Sequence, residues 1–321
     1  MSDRDTQEYS QERTYTLHLL DELQHGENTH QRAAVYKSPH MVDYEVLSGD
    51  KLTYNDILNL TASINIVSEF YDVNAVAFVK RGKPCGVALG RTSYDAYTKA
   101  FDCDPISAFY GVIAFSSAVD YDSAKHIDSM SVSVVVAPEF EPSALDLLKA
   151  NPEIKLVKLI TPLKDYKKYI DEEIKVTPFG TLIQDANRSE LDKDTFKVVT
   201  KQKPSPEQIE DAIFAWKVAK HAKSNAVVIA KDFKTIAIAQ GQTTSLSAVD
   251  WALNLACDEA KNAVLASDDV LPAEDSIHAA VLARIGLIIQ SGGSLKDERI
   301  IQTADKYNIA MITTGIKNNK N

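Results

Sequence analysis

The sequence has few cysteines, and it has no long apolar run. Its 3 cysteines, Cys85, Cys103 and Cys257, are odd in number and widely spaced in a chain of 321 residues. This pattern argues against a disulfide framework and favours reduced thiols in a core. No apolar segment approaches the roughly 20 residues of a membrane-spanning helix, and the polar start lacks the apolar region of a signal peptide. We therefore expect a cytoplasmic protein that does not bind a membrane.

Positive charge is also in short supply. The chain has 35 Lys and Arg against 45 Asp and Glu, which gives a formal net charge of -10 and a pI near 5.2. A large nucleic-acid surface depends on clustered basic residues, so we expect no nucleic-acid partner, although a local basic pocket can still hold a small anion. The length suits two domains of ordinary size.

The strands and helices predicted from hydrophobic periodicity follow the same order twice. The first copy has predicted strands at 75–80, 86–89, 111–115 and 133–136, and helices at 93–101 and 123–129. The second copy has predicted strands at 225–230, 235–239, 263–266, 287–290 and 310–313, and helices at 247–261, 275–284 and 296–307. Continuous apolar strands are typical of a sheet that is covered on both faces. The sequence therefore predicts a layered α/β protein built from a duplicated unit.

This periodicity also suggests where the domains begin and end. Residues 1–15 are polar and predict a flexible N-terminus, whereas residues 16–195 and 196–321 predict the first and second α/β domains. The stretch 191–206 is rich in Lys, Asp and Pro, as is typical of a linker.

The helix that opens the second copy has clear start signals. Ser205 stands at the cap position, Pro206 at the first helical position, and Gln208 completes a capping-box pattern. Apolar residues at helical spacing follow on one face, and they include Trp216. We predict that Trp216 is a core residue and does not stack on a ligand.

The end of this helix is the most promising site in the chain. Lys220, His221 and Lys223 lie where the helix dipole favours cations, so helix stabilisation alone would explain them. Ser224 and Asn225 follow directly, which puts an amide between a helix end and a strand start, where it can contact a ligand. This second observation favours a binding or catalytic site.

Seven short segments in this order resemble the AICAR transformylase half of the bifunctional purine-biosynthesis enzymes. AICAR is 5-aminoimidazole-4-carboxamide ribonucleotide, and these enzymes formylate it with 10-formyltetrahydrofolate as the cosubstrate. The segments are residues 26–31, 80–86, 104–109, 212–226, 241–242, 266–268 and 290–294. Because they span nearly the whole chain, the resemblance implies the same fold. The cyclohydrolase half of those enzymes has no counterpart in this sequence, so we expect a stand-alone form.

The resemblance implies duplicated cytidine-deaminase-like units, each a three-layer α/β/α sandwich, without zinc. Pro84 and Cys85 match half of a zinc-deaminase signature, but the second cysteine position holds Ala88 and no His-x-Glu element precedes them. Family members form dimers with active sites at the subunit interface, so we expect a homodimer. We also expect a shared cleft that brings the amine of Lys80 beside the amide of Asn225, across a subunit boundary if not within one chain.

The resemblance also implies roles for individual residues. Lys80 would stabilise charge that develops on the formyl group, and Asn225 would position the imidazole carboxamide. The expected substrate-binding residues match the family in residue type, and they are Gly26, Asn28, His30, Asn55, Asp104, Ser107, Lys220, Gln242, Asp268 and Asp275. Asp104 and Asp268 are equally well explained as turn or cap residues.

One departure from the family bears directly on catalysis. Arg81 stands where the family has a histidine that removes the amine proton, and a guanidinium with a pKa above about 12 cannot do so. His25, His30 and His221 are the nearest candidates for a substitute. Two alternatives therefore stay open beside the enzyme. One is a paralogue that has lost turnover and acts as a binding or regulatory partner, and the other is an enzyme for a smaller or dephosphorylated imidazole.

Overall fold

The computed structural model of the chain describes residues 10–38, 41–191 and 195–321. The segment predicted to be flexible, residues 1–15, lies mostly outside these ranges. Within the ranges, no helix combines the length and the apolar character needed to cross a membrane.

The first half of the chain contains a small hairpin and then the first copy of the predicted unit. Its elements are β1 (His18–Leu23), β2 (Ala33–Lys37), β3 (Tyr44–Ser48), α1 (Tyr54–Val67), β4 (Asn74–Lys80), β5 (Lys83–Gly90), α2 (Ser93–Cys103), β6 (Val112–Phe115), α3 (Tyr121–Asp128), β7 (Val134–Ala137), α4 (Pro142–Lys149) and β8 (Lys155–Leu159). A short 3₁₀ turn at Ser68–Phe70 extends α1.

A second hairpin separates the two copies. The remaining elements are α5 (Leu163–Tyr166), β9 (Glu172–Thr177), β10 (Gly180–Asp185), β11 (Lys197–Val198), α6 (Pro206–Ala219), β12 (Val227–Lys231), β13 (Lys234–Ala239), α7 (Ser245–Ala256), β14 (Val264–Ser267), α8 (Glu274–Leu282), β15 (Leu287–Gln290), α9 (Asp297–Lys306) and β16 (Ala310–Thr313). β11 falls inside the stretch that we predicted to be a linker, and it pairs with β16 at the edge of the sheet.

Twelve of these strands form one mixed sheet, in the order β11-β16-β15-β14-β12-β13-β5-β4-β6-β7-β8-β3. In the first copy β4 pairs antiparallel with β5 and β6, and β6, β7 and β8 run parallel. In the second copy β12 pairs antiparallel with β13 and β14, and β14, β15 and β16 run parallel. The predicted α/β class is confirmed, whereas the comparison with cytidine deaminases stays a prediction.

The two copies are joined at the middle of the sheet, where β5 lies beside β13. The hydroxyl of Thr235 accepts a hydrogen bond from the Val87 N–H (2.9 Å) and donates one to the Val87 carbonyl (3.1 Å). The sheet is therefore continuous from one copy to the other.

Helices cover both faces of the sheet. Successive residues of a strand point to opposite faces, so one face packs against α1 and α6 in a single core. The other face packs against α2, α3 and α4 in the first copy and against α7, α8 and α9 in the second. Trp216 of α6 is 1% exposed, which confirms that it is a core residue.

The helices α1 and α6 begin in the same way. Thr53 with Asp56, and Ser205 with Gln208, each form a capping box, as predicted for α6. The far ends of the two helices meet, because the rings of Phe70 and Phe214 lie 5.5 Å apart. Glu69, which directly precedes Phe70, and Lys220, at the end of α6, line the cavity described next.

Candidate active site

A cavity of about 1290 Å³ lies on the face of the sheet that α1 and α6 cover. One side of α1 lines it through Asn55, Asn59, Asn65 and, in the following 3₁₀ turn, Glu69. Residues three or four apart share a helix face, so Asn55 lies on the same side as Asn59, and Asn65 on the same side as Glu69, with the apolar Ala62 between the two pairs. At 1.5 Å per residue the segment from Asn55 to Glu69 is roughly 20 Å long.

The turn between β4 and β5 forms another wall. Arg81 and Gly82 both have positive φ, 53° and 70°, which is the backbone of a two-residue type I′ hairpin turn. The side-chain oxygen of Asn59 accepts a hydrogen bond from the Gly82 N–H at 2.7 Å, which fixes the turn against α1. Lys80, the last residue of β4, and Arg81 therefore line the cavity.

A buried cluster of charges joins the ends of the two helices. The Glu69 carboxylate accepts hydrogen bonds from Lys220 Nζ (2.9 Å) and Lys167 Nζ (3.0 Å), and its Oε1 lies 3.1 Å from His221 Nε2. The side chains of Glu69 and Lys220 are only 4% and 3% exposed. Lys220 also donates to the Ser189 carbonyl at 2.7 Å, so its ammonium group is held by two oxygens.

Burial and charge act against each other in this cluster. Burial alone would raise the pKa of Glu69, but the hydrogen bond from His221 and the nearby lysines lower it below its ordinary value. Burial lowers the pKa of Lys220 and of His221, although the charge of Glu69 opposes both changes. We conclude that Glu69 is ionised and that Lys167 and Lys220 supply the charge that balances it.

The charged residues that line the cavity are mainly basic, in contrast to the acidic chain as a whole. Its cationic side chains are Lys80, Arg81, Lys167, Lys175, Arg188, Lys220, Lys223 and Lys320, against the acidic Glu27, Glu69 and Glu173. A concave surface lined by one sign of charge concentrates ligands of the opposite sign. The arrangement therefore suits a ligand with phosphate or carboxylate groups.

Four of the predicted site residues line this cavity: Lys80, Asn28, Asn55 and Lys220. Asn55 donates to the Glu27 carbonyl at 3.3 Å, and this bond ties the loop between β1 and β2 to the start of α1. Gly26 lies in the same loop, where its N–H donates to the Gln31 carbonyl at 2.7 Å. His30, in contrast, is exposed and is not among the lining residues.

Asn225, Gln242 and Asp268 form a separate group outside that lining. The Asn225 amide donates to the Gln242 carbonyl at 2.9 Å, and its oxygen accepts from the Ser245 hydroxyl at 3.2 Å. The Asp268 carboxylate accepts from the Ser224 hydroxyl and from the Ala226 N–H. Within one chain, then, Lys80 and Asn225 do not line the same cavity, and their predicted proximity stays a prediction about an assembly.

The two groups are nevertheless neighbours through the turn after Lys80. The ammonium group of Lys83 lies beside Gly241, and the Gln240 amide donates to the Pro84 carbonyl at 2.8 Å. Two basic residues therefore adjoin Gly241: the Lys83 ammonium lies beside it, and the Lys223 carbonyl accepts a hydrogen bond from the Gly241 N–H at 2.7 Å.

The remaining predicted residues hold local structure. Asp104 accepts a hydrogen bond from the Ser107 N–H at 2.9 Å, which is the turn role that its sequence context allowed. Asp275 stands in the first turn of α8 with its side chain 79% exposed, and its nearest charged partner is His278 at 3.9 Å. Neither Asp104, Ser107 nor Asp275 lines the cavity.

Three of the charged lining residues were not predicted from the sequence: Glu69, Lys167 and Arg188. Glu69 lies between Ile66 and Val67 on one side and Phe70 on the other, so a carboxylate among apolar residues was the available signal. Lys167 and Arg188 flank the β9–β10 hairpin, where nothing in the local pattern distinguishes them from ordinary surface residues. In the described ranges, no group of three or more His, Cys, Asp and Glu side chains is placed to hold a metal ion.

A family model and individual known proteins both show similarity to this chain. The family model described as AICARFT/IMPCHase bienzyme matches residues 1–255. Two similar relatives are named bifunctional purine biosynthesis protein PurH. The one from Caldicellulosiruptor saccharolyticus is 41% identical over 95% of this chain and 60% of its own length, and the one from Caldicellulosiruptor bescii is 40% identical over 98% and 62%.

A third PurH protein, from Thermoanaerobacter sp. strain X514, is 38% identical over 98% of this chain and 61% of its own length. The chain therefore spans about 60% of the length of the curated relatives that it matches. The family model covers most of the chain, and the resemblance stated from the motifs is confirmed. The chain belongs to the AICARFT/IMPCHase bienzyme family.

Proposed function

We propose that this chain transfers a formyl group from 10-formyltetrahydrofolate to the 5-amino group of AICAR, a step of purine biosynthesis. Membership of the family supports this proposal, as does the name of the relatives, bifunctional purine biosynthesis protein. The observation that carries it is the basic cavity, with Lys80 in its wall.

The size and charge of the cavity suit two anionic ligands. A single small-molecule site usually occupies about 300 to 1,000 Å³, and this cavity has about 1290 Å³. AICAR carries a phosphate and the folate carries carboxylates, so both ligands gain from the basic lining. The polar residues among those of α1 and its 3₁₀ turn that line the cavity, such as Asn55 and Asn65, offer hydrogen bonds to either ligand.

In this proposal Lys80 acts on the formyl group. As the amine of AICAR adds to the formyl carbon, negative charge develops on the formyl oxygen. An ammonium group within reach of that oxygen lowers the barrier, because it is already oriented when the charge appears. Lys80 is the last residue of β4, so its position is fixed by the sheet and by the turn that Asn59 holds.

The remaining assignments belong to the same proposal. The protein acts in the cytoplasm as a homodimer, and Asn225, Gln242 and Asp268 contribute to a site that two subunits complete. Each half, 16–195 and 196–321, is a deaminase-like unit that works without zinc. The repeated strand pairing supports the proposal of two similar halves. The exposed apolar residues of the β9–β10 hairpin, Val176 and Phe179, support the proposal of a homodimer, in which a partner subunit would cover them.

The decisive experiment is a formyl-transfer assay with the purified chain, AICAR and 10-formyltetrahydrofolate, read out as tetrahydrofolate released. We expect turnover in the unaltered protein and a loss of about 100-fold or more in Lys80→Met, which keeps the length of the side chain without its charge. Lys158→Met is the matched control, because Lys158 pairs with Glu139 on an exposed part of the sheet. Equal activity in the two variants would contradict the role of Lys80.

Calorimetry separates the alternatives when turnover is absent. Binding of AICAR and of a folate without formyl transfer would identify the protein as a paralogue that binds but does not catalyse. Turnover with the nucleoside and none with the nucleotide would identify a dephosphorylated substrate. Neither binding nor turnover would refute the proposed function.

A further inference from the structure

Only one of the three candidate histidines lines the cavity. His25 contacts the Gly26 carbonyl in the β1–β2 loop, and His30 is exposed in the same loop. His221 lines the cavity that also contains Lys80 and Arg81. Its side chain is 12% exposed, so the ring is largely enclosed.

The contact with Glu69 determines which ring nitrogen is free. His221 Nε2 lies 3.1 Å from Glu69 Oε1. An ionised carboxylate only accepts hydrogen bonds, so Nε2 must carry a hydrogen and donate it. In the neutral ring the lone pair is then on Nδ1. Within the described part of the chain, Nδ1 has no hydrogen-bond partner.

The charges around the ring keep it neutral. Burial lowers the pKa of His221, Glu69 raises it, and Lys220 and Lys320 lower it again. Lys220 belongs to the same helix end, Glu69 comes from the turn after α1, and Lys320 comes from the C-terminal tail, where its ammonium lies 3.4 Å from the His221 carbonyl. At neutral pH the ring therefore has a lone pair available to accept a proton.

We propose that His221 is the proton acceptor of the formyl transfer, through Nδ1, and that Glu69 is the residue that positions its ring. This inference rests on the proposed function. The inference supplies the base that the turn between β4 and β5 lacks, because Arg81 in that turn cannot accept a proton at neutral pH.

The proposed step balances without a further reactant. The amine nitrogen of AICAR bonds to the formyl carbon, and the bond between that carbon and N10 of the folate breaks with its electron pair going to N10. His221 Nδ1 takes one proton from the amine as it becomes an amide. The imidazolium then returns that proton to N10, so tetrahydrofolate leaves neutral at N10 and His221 is again a base.

The test compares His221→Asn with His278→Asn, a matched control because His278 also lies near a carboxylate, that of Asp275, but outside the cavity. We expect His221→Asn to lower kcat by roughly 100-fold or more, the usual contribution of a general base, with little change in KM for AICAR. In the unaltered protein and in the control, kcat should fall as the pH drops below the pKa of His221, which lies under the ordinary pKa of an imidazole. In His221→Asn this acidic limb should disappear.

A positioning role for Glu69 has its own signature. Glu69→Gln removes the ionised acceptor, so the ring is no longer fixed as the Nε2–H form. We expect kcat to fall in this variant while an acidic limb remains, because the base itself is still present. Loss of the limb in Glu69→Gln but not in His221→Asn would overturn the assignment.

A second measurement separates failure of this inference from failure of the proposed function. Nitrogen-15 NMR of labelled histidines reports the tautomer of His221 directly, with the resonance assigned by its loss in His221→Asn. We expect a neutral ring protonated at Nε2, and a shift of the Nδ1 signal when AICAR is added. A ring that is protonated at neutral pH, or that carries its hydrogen on Nδ1, would overturn the inference whether or not the protein turns over. An active protein whose pH profile is unchanged in His221→Asn would overturn the inference and leave the proposed function intact.

Discussion

Replacement of Glu69 by glutamine is the sharpest test of the charge cluster as a structural element. The substitution keeps the shape of the side chain and removes its charge. Lys220 would then lie 3% exposed with no ionised partner in the cluster, and its ammonium group would keep its hydrogen bond to the Ser189 carbonyl. Lys167 is 30% exposed and keeps Glu190 at 3.3 Å, so it loses less.

The expected magnitude follows from that difference in burial. Breaking a buried ion pair by removing one partner costs about 3 to 5 kcal/mol, because an uncompensated charge stays buried. We expect Glu69→Gln to lower the free energy of unfolding by this amount. The double variant Glu69→Gln with Lys220→Met should recover most of the loss, because a buried pair replaced by groups of similar volume is often nearly neutral.

Urea denaturation followed by tryptophan fluorescence is a suitable assay, because Trp216 lies in the core of α6, one turn before Lys220. Glu139→Gln is the control, since its partner Lys158 lies in an exposed pair whose loss is worth at most about 1 kcal/mol. If Glu69→Gln costs no more than the control, or if the double variant is no more stable than Glu69→Gln, then the cluster does not contribute as we argue.

Two further predictions concern the same region. The pKa of His221 is lowered in the folded state, so below about pH 6.5 the unfolded chain binds more protons than the folded chain. Stability therefore falls as the pH falls below that value, by at most about 1.4 kcal/mol per pH unit. Acid titration of unfolding should show a shallower loss in His221→Asn than in the unaltered protein, and an equal slope would refute this prediction. Asn74→Ala and Asn225→Ala should each lower stability by about 1 kcal/mol, measured by thermal unfolding, because each removes one amide that holds a strand start. A destabilised Asn74→Ala beside an unaffected Asn225→Ala would mean that the Asn225 amide has no structural role.

Much of the fold could be predicted because its signals are local. Strand β16 was predicted at 310–313, as observed, and the start of α6 followed from Ser205, Pro206 and Gln208, whose hydrogen bonds join residues three apart. Apolar runs bounded by turn residues gave most of the central strands within a few positions. The two hairpins outside the main sheet, β1–β2 and β9–β10, were not predicted, because their residues are largely exposed on both faces and lack an apolar period.

The site was harder to predict, because its contacts join distant parts of the chain. Glu69 meets Lys220 and His221 only when α1 and α6 pack end to end on one face of the sheet. The sequence identified Lys220 and His221 from the helix end that they share, but no local pattern shows which carboxylate faces them. The same reason limited the assignment of Asn225, whose partners depend on where the Gly241–Gln242 loop lies.

The repeat itself separates structural residues from candidates for function. Asn74 and Asn225 each directly precede an alanine whose carbonyl accepts a hydrogen bond from a backbone N–H. The donor is the residue that directly follows β6 in the first copy and β14 in the second. The Asn74 amide donates to the Arg91 carbonyl at 2.9 Å, and the Asn225 amide donates to the Gln242 carbonyl at 2.9 Å. An interaction that occurs in both copies holds the fold in both, so this amide contact alone is no evidence that Asn225 contacts a ligand. A catalytic role for Asn225 must rest on its oxygen, or on a partner subunit.

The opposite holds where equivalent positions differ. Glu69 follows the helix cap Thr53 by the same number of residues as His221 follows the helix cap Ser205. Glu69 and His221 therefore occupy matching positions in the two copies. They contact each other at 3.1 Å, which means that the axis relating the copies passes near this contact. Two identical acids there would repel each other, and two imidazoles would leave both rings without an ionised acceptor. A carboxylate in one copy and an imidazole in the other avoid both the repulsion and the missing acceptor. The His221 ring then has Nε2 bound to Glu69 and Nδ1 free. The two halves therefore differ at this point, and that difference is the feature from which we infer a base.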